Sequence, residues 1–132
     1  MSESAAQPQR GDFQGEAQGR SRVVYEFDIP ERHRSEEITQ TVGLVKLNGR
    51  EEKAASKRSR GDSTMLAYEL VKQSMFEVDG RRINRGQHEE EKLWNNMDPI
   101  LRNLILAAYA ELHTPEDDEA ENFIKGRREK VG

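Results

Sequence analysis

The strongest constraint on the fold is the concentration of apolar side chains in one stretch near the C-terminus, residues 93–124. This stretch contains the only Trp of the chain, Trp94, and two sharp helix-start signals. Only 33% of the 132 residues are hydrophobic whereas 35% are charged, so the chain can bury one small core and no more. We therefore predict a single small domain over residues 22–128 that is built around this stretch.

Two helices are predicted within the apolar stretch. Asp98 followed by Pro99 is a typical helix start, because the carboxylate caps the helix and proline suits its first position. The helix that follows is apolar over more than half of its circumference, which indicates a helix at the centre of its domain or one partly covered by another chain. Thr114, Pro115 and an acidic first turn repeat the start signal. The large apolar residues of this last helix are predicted to return to the core: Phe123 and Ile124.

Two β-prone runs lie nearer the N-terminus. Alternation over RVVYEFDIP, residues 22–30, predicts a half-buried strand whose inward side is apolar, and Val24, Glu26 and Asp28 are its predicted outward set. Residues 38–47 are predicted to pair with it, and Gly43 marks a bulge or bend. Asp79-Gly80, between two further short runs, predicts a tight hairpin.

Three further helices are expected between these elements and the apolar stretch. Asn48 and Glu51 have the spacing of a capping box for a helix over residues 48–60. Asp62 caps a second helix, and residues 88–97 form a short third one. The predicted class is therefore α+β and mainly helical, with four to five short helices, a small N-terminal β-sheet and the DG hairpin.

The two ends of the chain are predicted to lie outside the domain. Residues 1–21 are polar and have the composition of a disordered tail; a docking arm anchored by Phe13 is the alternative. Residues 129–132 form a basic C-terminal end. Residues 1–15 have no apolar segment of the kind found in a secretory signal, and no run approaches the roughly 20 apolar residues of a membrane span.

Residues that carry chemistry are sparse. There is no Cys, which excludes disulfides and thiolate catalysis. The histidines His33, His88 and His113 lie in separate segments without a second ligand at metal spacing, and His113 is interpreted as a helix-end residue favoured by the dipole. The acidic residues of 116–121 do not match a calcium loop. We predict a non-enzymatic protein with no cofactor and no metal site.

Two charged blocks remain to be explained. Residues 46–60 contain six basic and two acidic side chains, and residues 116–121 contain five acidic ones. Both could be ordinary solvated helix faces. The alternative is a basic stripe offered to an acidic partner, and the lack of interleaved aromatic residues disfavours a nucleic acid as that partner. The stripe consists of residues spaced three and four apart: Arg50, Lys53, Lys57 and Arg60.

Several segments, taken in order, resemble one protein family. They are YEFDIP, GREEKAASKRSRGD, LAYELVKQSMFEVDG and LWNNMDPILRNLILAAYAELHTPEDDEAENFI, and together they span about residues 23–128. The chain resembles the small tail assembly chaperones of tailed bacteriophages and related contractile injection systems. Its most telling parts are the helix and hairpin that end in Val78-Asp79-Gly80 and the helix pair with the pattern D-P-x-L-R-x-L…A-Y…L-H-x-P.

The resemblance implies an assembly factor that binds tail tube, tape-measure or baseplate proteins in the cytoplasm of the producing cell and then leaves. An apolar groove would hold the partner, with Trp94, Met97 and Tyr109 as contacts, although each of the three also fits an ordinary core. Arg50, Lys53 and Lys57 would form a steering rim. A structural subunit retained in the particle is the first alternative, and a small nucleic-acid-binding regulator is the weaker one. Homo-oligomerisation is left open, and no membrane partner is expected.

Overall fold

The computed structural model describes residues 9–15 and 20–127. Within these residues, five strands and five α-helices form a mixed α+β fold in which helix predominates, as the sequence predicts. The elements, in chain order, are β1 (Gln9–Gly15), β2 (Arg20–Asp28), β3 (Thr41–Leu44), α1 (Gly49–Ser59), α2 (Ser63–Ser74), β4 (Met75–Val78), β5 (Arg81–Arg82), α3 (Glu89–Asn95), α4 (Pro99–Leu112) and α5 (Asp117–Lys125).

The described strands form one antiparallel sheet whose spatial order, β1-β2-β3-β4-β5, is also their order along the chain. The predicted pairing of the first two β-prone runs is confirmed, with Tyr25 opposite Leu44 and Phe27 opposite Val42. Helices α1 and α2 lie between β3 and β4 in the sequence, yet these two strands are neighbours. The helix pair is therefore an insertion between two neighbouring strands of an antiparallel meander.

Strand β1 lies inside the segment 1–21 that the sequence predicts to be disordered. It pairs with β2, with Phe13 opposite Arg22 and Gly15 opposite Arg20. A polar segment can do this because backbone groups make the pairing, and a free β2 edge would present unpaired N–H and C=O groups. The structure therefore differs from the prediction over β1. Residues 1–8, 16–19 and 128–132 lie outside the described residues.

Strand β2 is covered on both faces, which the alternating pattern does not predict. Val24, assigned by the sequence to the outward set, is fully buried. It packs over Gly43, where an added Cβ would lie only 2.7 Å from the Val24 Cγ1 atom. The register of β3 against β4 shifts between Gly43 and Leu44, so the predicted bulge is confirmed.

The predicted turn and helix-start signals are confirmed at four places. Asp79 and Gly80 both have positive φ angles, 52° and 82°, as the tightest hairpin turn requires. Asn48 and Glu51 form a complete capping box at the start of α1. Asp62 accepts hydrogen bonds from the first N–H groups of α2, and the carboxylate of Asp98 accepts one from the first turn of α4.

The main core lies between one face of the sheet and helices α2, α3 and α4. It contains β-branched and aliphatic residues of β3 and β4 together with long side chains from the three helices. Burial of such side chains is the chief source of stability in a domain of this size. Its central members are Val42, Leu44, Val71, Met75, Val78, Leu93, Trp94, Met97, Leu101 and Ile105.

Helix α5 does not join this core, so the prediction that it packs there is wrong. None of its residues is buried, and the side chains of Phe123 and Ile124 are 85% and 62% exposed. The helix also starts later than predicted, because Glu116 caps it through a capping box with Glu119. Periodicity identifies an apolar helix face but not what covers it, and α2, α3 and α4 already pack on this side of the sheet.

Candidate partner-binding surface

Two of the three side chains predicted to line a groove are instead part of the core. Trp94 and Met97 are only 3% and 7% exposed. The centre of the Trp94 ring lies 5.5 Å from that of the Tyr68 ring, and the guanidinium carbon of Arg102 also lies 5.5 Å from the centre of the Trp94 ring. Arg102 also donates from Nε to the Trp94 carbonyl oxygen at 2.9 Å. These contacts fix Trp94 within the fold, so it is not available as a surface contact.

Tyr109, the third predicted contact, is half-buried and belongs to a structural junction. Its ring stacks on the imidazole of His113 with 4.1 Å between centroids. Nδ1 of His113 donates to the Tyr109 carbonyl oxygen at 2.8 Å, so its Nε2 is the acceptor of the Leu47 N–H at 2.9 Å. Burial, with a smaller contribution from the charge of Glu52, raises the pKa of the Tyr109 hydroxyl. His113 thus ties the end of α4 to the segment before α1, a role beyond the dipole interaction that the sequence suggests.

The wide apolar arc of α4 is divided between the core and solvent. Leu101 and Ile105 are buried, whereas Ile100 and Leu104 are 48% and 43% exposed. The sequence left open whether this arc is central or partly covered by another chain. The structure shows that one side of α4 packs in the core, whereas two aliphatic side chains on its other side are exposed to solvent.

The predicted basic stripe is present on the outer face of α1. Arg50, Lys53, Lys57 and Arg60 are all exposed, and within residues 22–127 none of them forms an ion pair. The inner edge of the same helix carries Glu51, which accepts from both terminal nitrogens of Arg22 at 2.6 and 2.9 Å. The stripe is therefore a solvated positive face on a helix that is anchored to β2 from its other side.

Residues 80–86, GRRINRG, form a second basic segment, whose Arg85 is engaged within the fold. Arg85 donates to the carbonyl oxygens of Lys72 and Gln73 at 2.8 and 2.9 Å and also contacts that of Met75, so it satisfies the C-terminal end of α2. Burial lowers the pKa of the Arg85 guanidinium. The buried ammonium of Lys72 lies 3.0 Å from carboxylate oxygens of both Glu69 and Glu91. These charges join α2 to α3.

The most accessible apolar area is on α5. Phe123 and Ile124, with Ala120 one turn earlier, line a cleft of about 620 Å³ together with Pro115 and Glu119. The spacing of residues 120, 123 and 124 places them on one helix face. Phe123 and Ile124 are the two residues that the sequence predicts to be apolar anchors of the core, whereas Ala120 is not singled out.

A second cleft of about 730 Å³ adjoins the apolar one and is acidic. It lies between the end of α4, the start of α5 and the β2 side of the domain, and it shares Pro115 and Glu119 with the apolar cleft. Its ammonium group is that of Lys46, which faces the Tyr25 ring at 5.5 Å. We call the two clefts together the α5 surface. The carboxylates that line the acidic cleft are those of Glu111, Glu116, Asp118 and Glu119.

Comparison of the chain with protein-family models, with curated proteins and with solved structures finds no match. In the described part of the chain, no three His, Asp or Glu side chains are grouped as they would be around a metal ion. None of the described helices combines the length and the apolar character needed to cross a membrane.

Proposed function

We propose that this chain is a non-enzymatic assembly factor that binds another protein through the α5 surface. The partner class is the one implied by the sequence resemblance, tail tube or tape-measure type proteins during assembly of a phage-tail-like particle. The observation that carries the proposal is the exposure of Phe123 and Ile124 side by side on a helix whose apolar face is not covered by the described residues.

Exposure of this kind is typical of recognition surfaces. Single exposed apolar residues are common, but a large aromatic and a branched aliphatic residue on one helix turn, lining a cleft, match the anchors of helix-in-groove contacts. Aromatic anchors surrounded by polar groups also contribute most of the binding free energy in protein interfaces. The acidic residues beside the apolar cleft supply such a polar border.

The basic stripe on α1 complements this assignment rather than replacing it. Arg50, Lys53 and Lys57 form a positive face on a different helix from the acidic α5 surface. A charge separation of this kind orients a charged partner during diffusional encounter and changes the association rate more than the affinity. The stripe is thus a steering element, and its lack of interleaved aromatic residues gives no support to nucleic-acid binding.

The decisive experiment is affinity capture of tagged protein from the producing cell, with finished particles purified in parallel and both samples analysed by mass spectrometry. We expect tail tube or tape-measure type proteins in the capture and no copies of this chain in the particles. Stoichiometric presence in the particles would replace the assembly factor by a retained structural subunit. Capture of nucleic acid alone, released by raised salt, would favour the regulator instead.

Two matched variants connect this experiment to the structure. Phe123→Ser with Ile124→Ser removes the apolar anchors of α5, whereas Ile100→Ser with Leu104→Ser removes two exposed apolar residues of α4. We expect the α5 variant to lose capture and the α4 variant to retain it. The reverse result would place the binding surface on α4.

A further inference from the structure

We infer that the α5 surface is built for a basic amphipathic helix, with an apolar side chain in the Phe123 cleft and a Lys or Arg side chain in the adjoining acidic cleft. This inference rests on the proposed function, because it specifies the chemistry of the segment that the assembly factor binds. It depends on the arrangement of the two clefts rather than on either cleft alone.

The apolar cleft determines the first feature of the ligand, an apolar side chain. Its walls are the side chains of Pro115, Ala120, Phe123 and Ile124, and Glu119 is its charged member. A helix presents apolar residues at intervals of three and four, which matches the spacing on α5 itself. An aliphatic or aromatic residue from such a helix can therefore bury area against both Phe123 and Ile124.

The acidic cleft determines the second feature of the ligand, a positively charged side chain. Four carboxylates line it, against the single ammonium of Lys46. Glu116 and Glu119 are engaged in the capping box of α5. The side chains of Glu111 and Asp118 have no hydrogen bond or ion pair with the other described residues, so they are the groups able to accept from a ligand cation. Lys and Arg are the side chains that such a pair recognises.

The shared wall makes the two requirements a single motif. Pro115 and Glu119 belong to both clefts, so the apolar anchor and the cation must be neighbours on the ligand surface. An i, i+3 or i, i+4 pair on one helix satisfies this condition.

A second copy of this chain is a poorer occupant. Parallel apposition of two α5 helices would bring their acidic first turns together, and like charges oppose each other. The basic α1 helix of a second copy has no large apolar side chain for the Phe123 cleft, so a basic amphipathic helix from a different chain fits both clefts better.

The test is the binding of two fluorescently labelled peptides, each of about fourteen residues so that a helix can form on binding. One peptide contains only Leu and Lys, with Leu at the spacing of one helix face. The other has Glu in place of every Lys. We expect the full-length protein to bind the Leu-Lys peptide in fluorescence anisotropy, to weaken as salt is raised, and to show no binding of the Leu-Glu peptide.

Four variants make the result specific. Phe123→Ser with Ile124→Ser should weaken Leu-Lys binding by about tenfold or more, and Ile100→Ser with Leu104→Ser should not. Glu111→Gln with Asp118→Asn should weaken it severalfold and reduce its salt dependence. The same charge change at exposed positions elsewhere, Glu36→Gln with Glu37→Gln, should leave it unchanged. Circular dichroism and thermal unfolding establish that each variant is folded.

Several outcomes would overturn the inference: no binding of the Leu-Lys peptide, equal binding of the Leu-Glu peptide, or binding that survives loss of Phe123 and Ile124. Its failure is distinguishable from failure of the proposed function. Capture of tail-type proteins that is lost in the α5 variant, without Leu-Lys binding, would retain the function and reject the basic ligand. Specific Leu-Lys binding without capture of any tail-type protein would retain the ligand chemistry and reject the function.

Discussion

Three hydrogen bonds join the carboxylate of Asp79 to Thr39. The Thr39 N–H donates to both carboxylate oxygens at 3.2 and 3.0 Å, and the Thr39 hydroxyl donates to Oδ2 at 3.0 Å. The same carboxylate accepts from the N–H groups of Gln40 and Thr41 at 2.6 and 3.0 Å. One residue therefore forms the β4–β5 turn and also holds the backbone that leads into β3.

Replacing this carboxylate should destabilise the fold without disturbing the turn. Asn tolerates the left-handed conformation of Asp79 but offers one acceptor oxygen in place of two. We expect Asp79→Asn to lower the free energy of unfolding by about 1–2 kcal/mol. Urea denaturation followed by Trp94 fluorescence measures the change. Asp28→Asn, at an exposed strand end, is the matched control, and equal effects of the two substitutions would contradict the assigned role.

Acidification should weaken the fold through this group and through Glu51. Burial alone would raise both pKa values, but backbone donors to Asp79, and the Arg22 guanidinium with the Asn48 N–H at Glu51, leave both lowered. A lowered pKa in the folded state stabilises the protein above the unfolded pKa, about 4, and the effect is lost as the pH falls towards the folded value. We expect the urea midpoint to fall between about pH 5 and pH 3. The fall should be smaller in Asp79→Asn, and an identical fall would count against Asp79 as a source.

A methyl group should be tolerated at one glycine and not at another. A Cβ at position 43 would lie 2.7 Å from Val24 Cγ1 and 3.1 Å from Glu77 Cβ, inside the buried sheet. We expect Gly43→Ala to cost about 1–3 kcal/mol in unfolding free energy. Gly49, at the start of α1, has no atom within 4 Å of its Cβ position, so Gly49→Ala should be neutral or slightly stabilising. Thermal unfolding of the two variants tests the contrast, and similar midpoints would show that the sheet relaxes around position 43.

Trp94 should behave as a core residue and not as a partner contact. Trp94→Ala is expected to cost about 3–5 kcal/mol, whereas Met65→Ala, at a 40% exposed position, should cost far less. Because Trp94 is buried, the fluorescence emission of the native protein should be blue-shifted and poorly quenched by acrylamide. The emission can be assigned to Trp94 because it is the only Trp of the chain. A Trp94→Ala protein of unchanged stability that no longer captures its partner would restore the groove predicted from the sequence.

The features that sequence analysis predicted correctly depend on short-range chemistry. The capping box of Asn48 and Glu51, the caps at Asp62 and Asp98 and the turn at Asp79 each require the right atoms within a few residues of one another. Such signals need no knowledge of the remaining fold. The pairing of β2 with β3 followed from two adjacent β-prone runs, whose apolar sides fit one core.

The features it missed depend on what lies far away in the sequence. Trp94 and Phe123 are both aromatic residues on predicted helices, yet one is 3% exposed and the other 85%. The local sequence gives no sign that the two side chains differ in burial. Trp94 is buried because α2 and α4 pack around α3, and Phe123 is not part of that packing. The bonds from Asp79 to residues 39–41 are likewise long-range and carry no local pattern. The pairing of β1 with β2 is short-range, but β1 contains one large apolar residue, Phe13, and no alternating apolar pattern from which a strand could be predicted.

The strand order has a consequence for the sequence of events during synthesis. Each described strand pairs with the one before it, so a growing sheet always has its next docking edge in place. The α1–α2 pair, joined by a short link, is completed before β4 returns to β3. Helix α5 is the last of the described elements along the chain, so it is synthesised after every strand and helix that forms the core. The residues that pack together in the core are thus all synthesised before the proposed recognition helix.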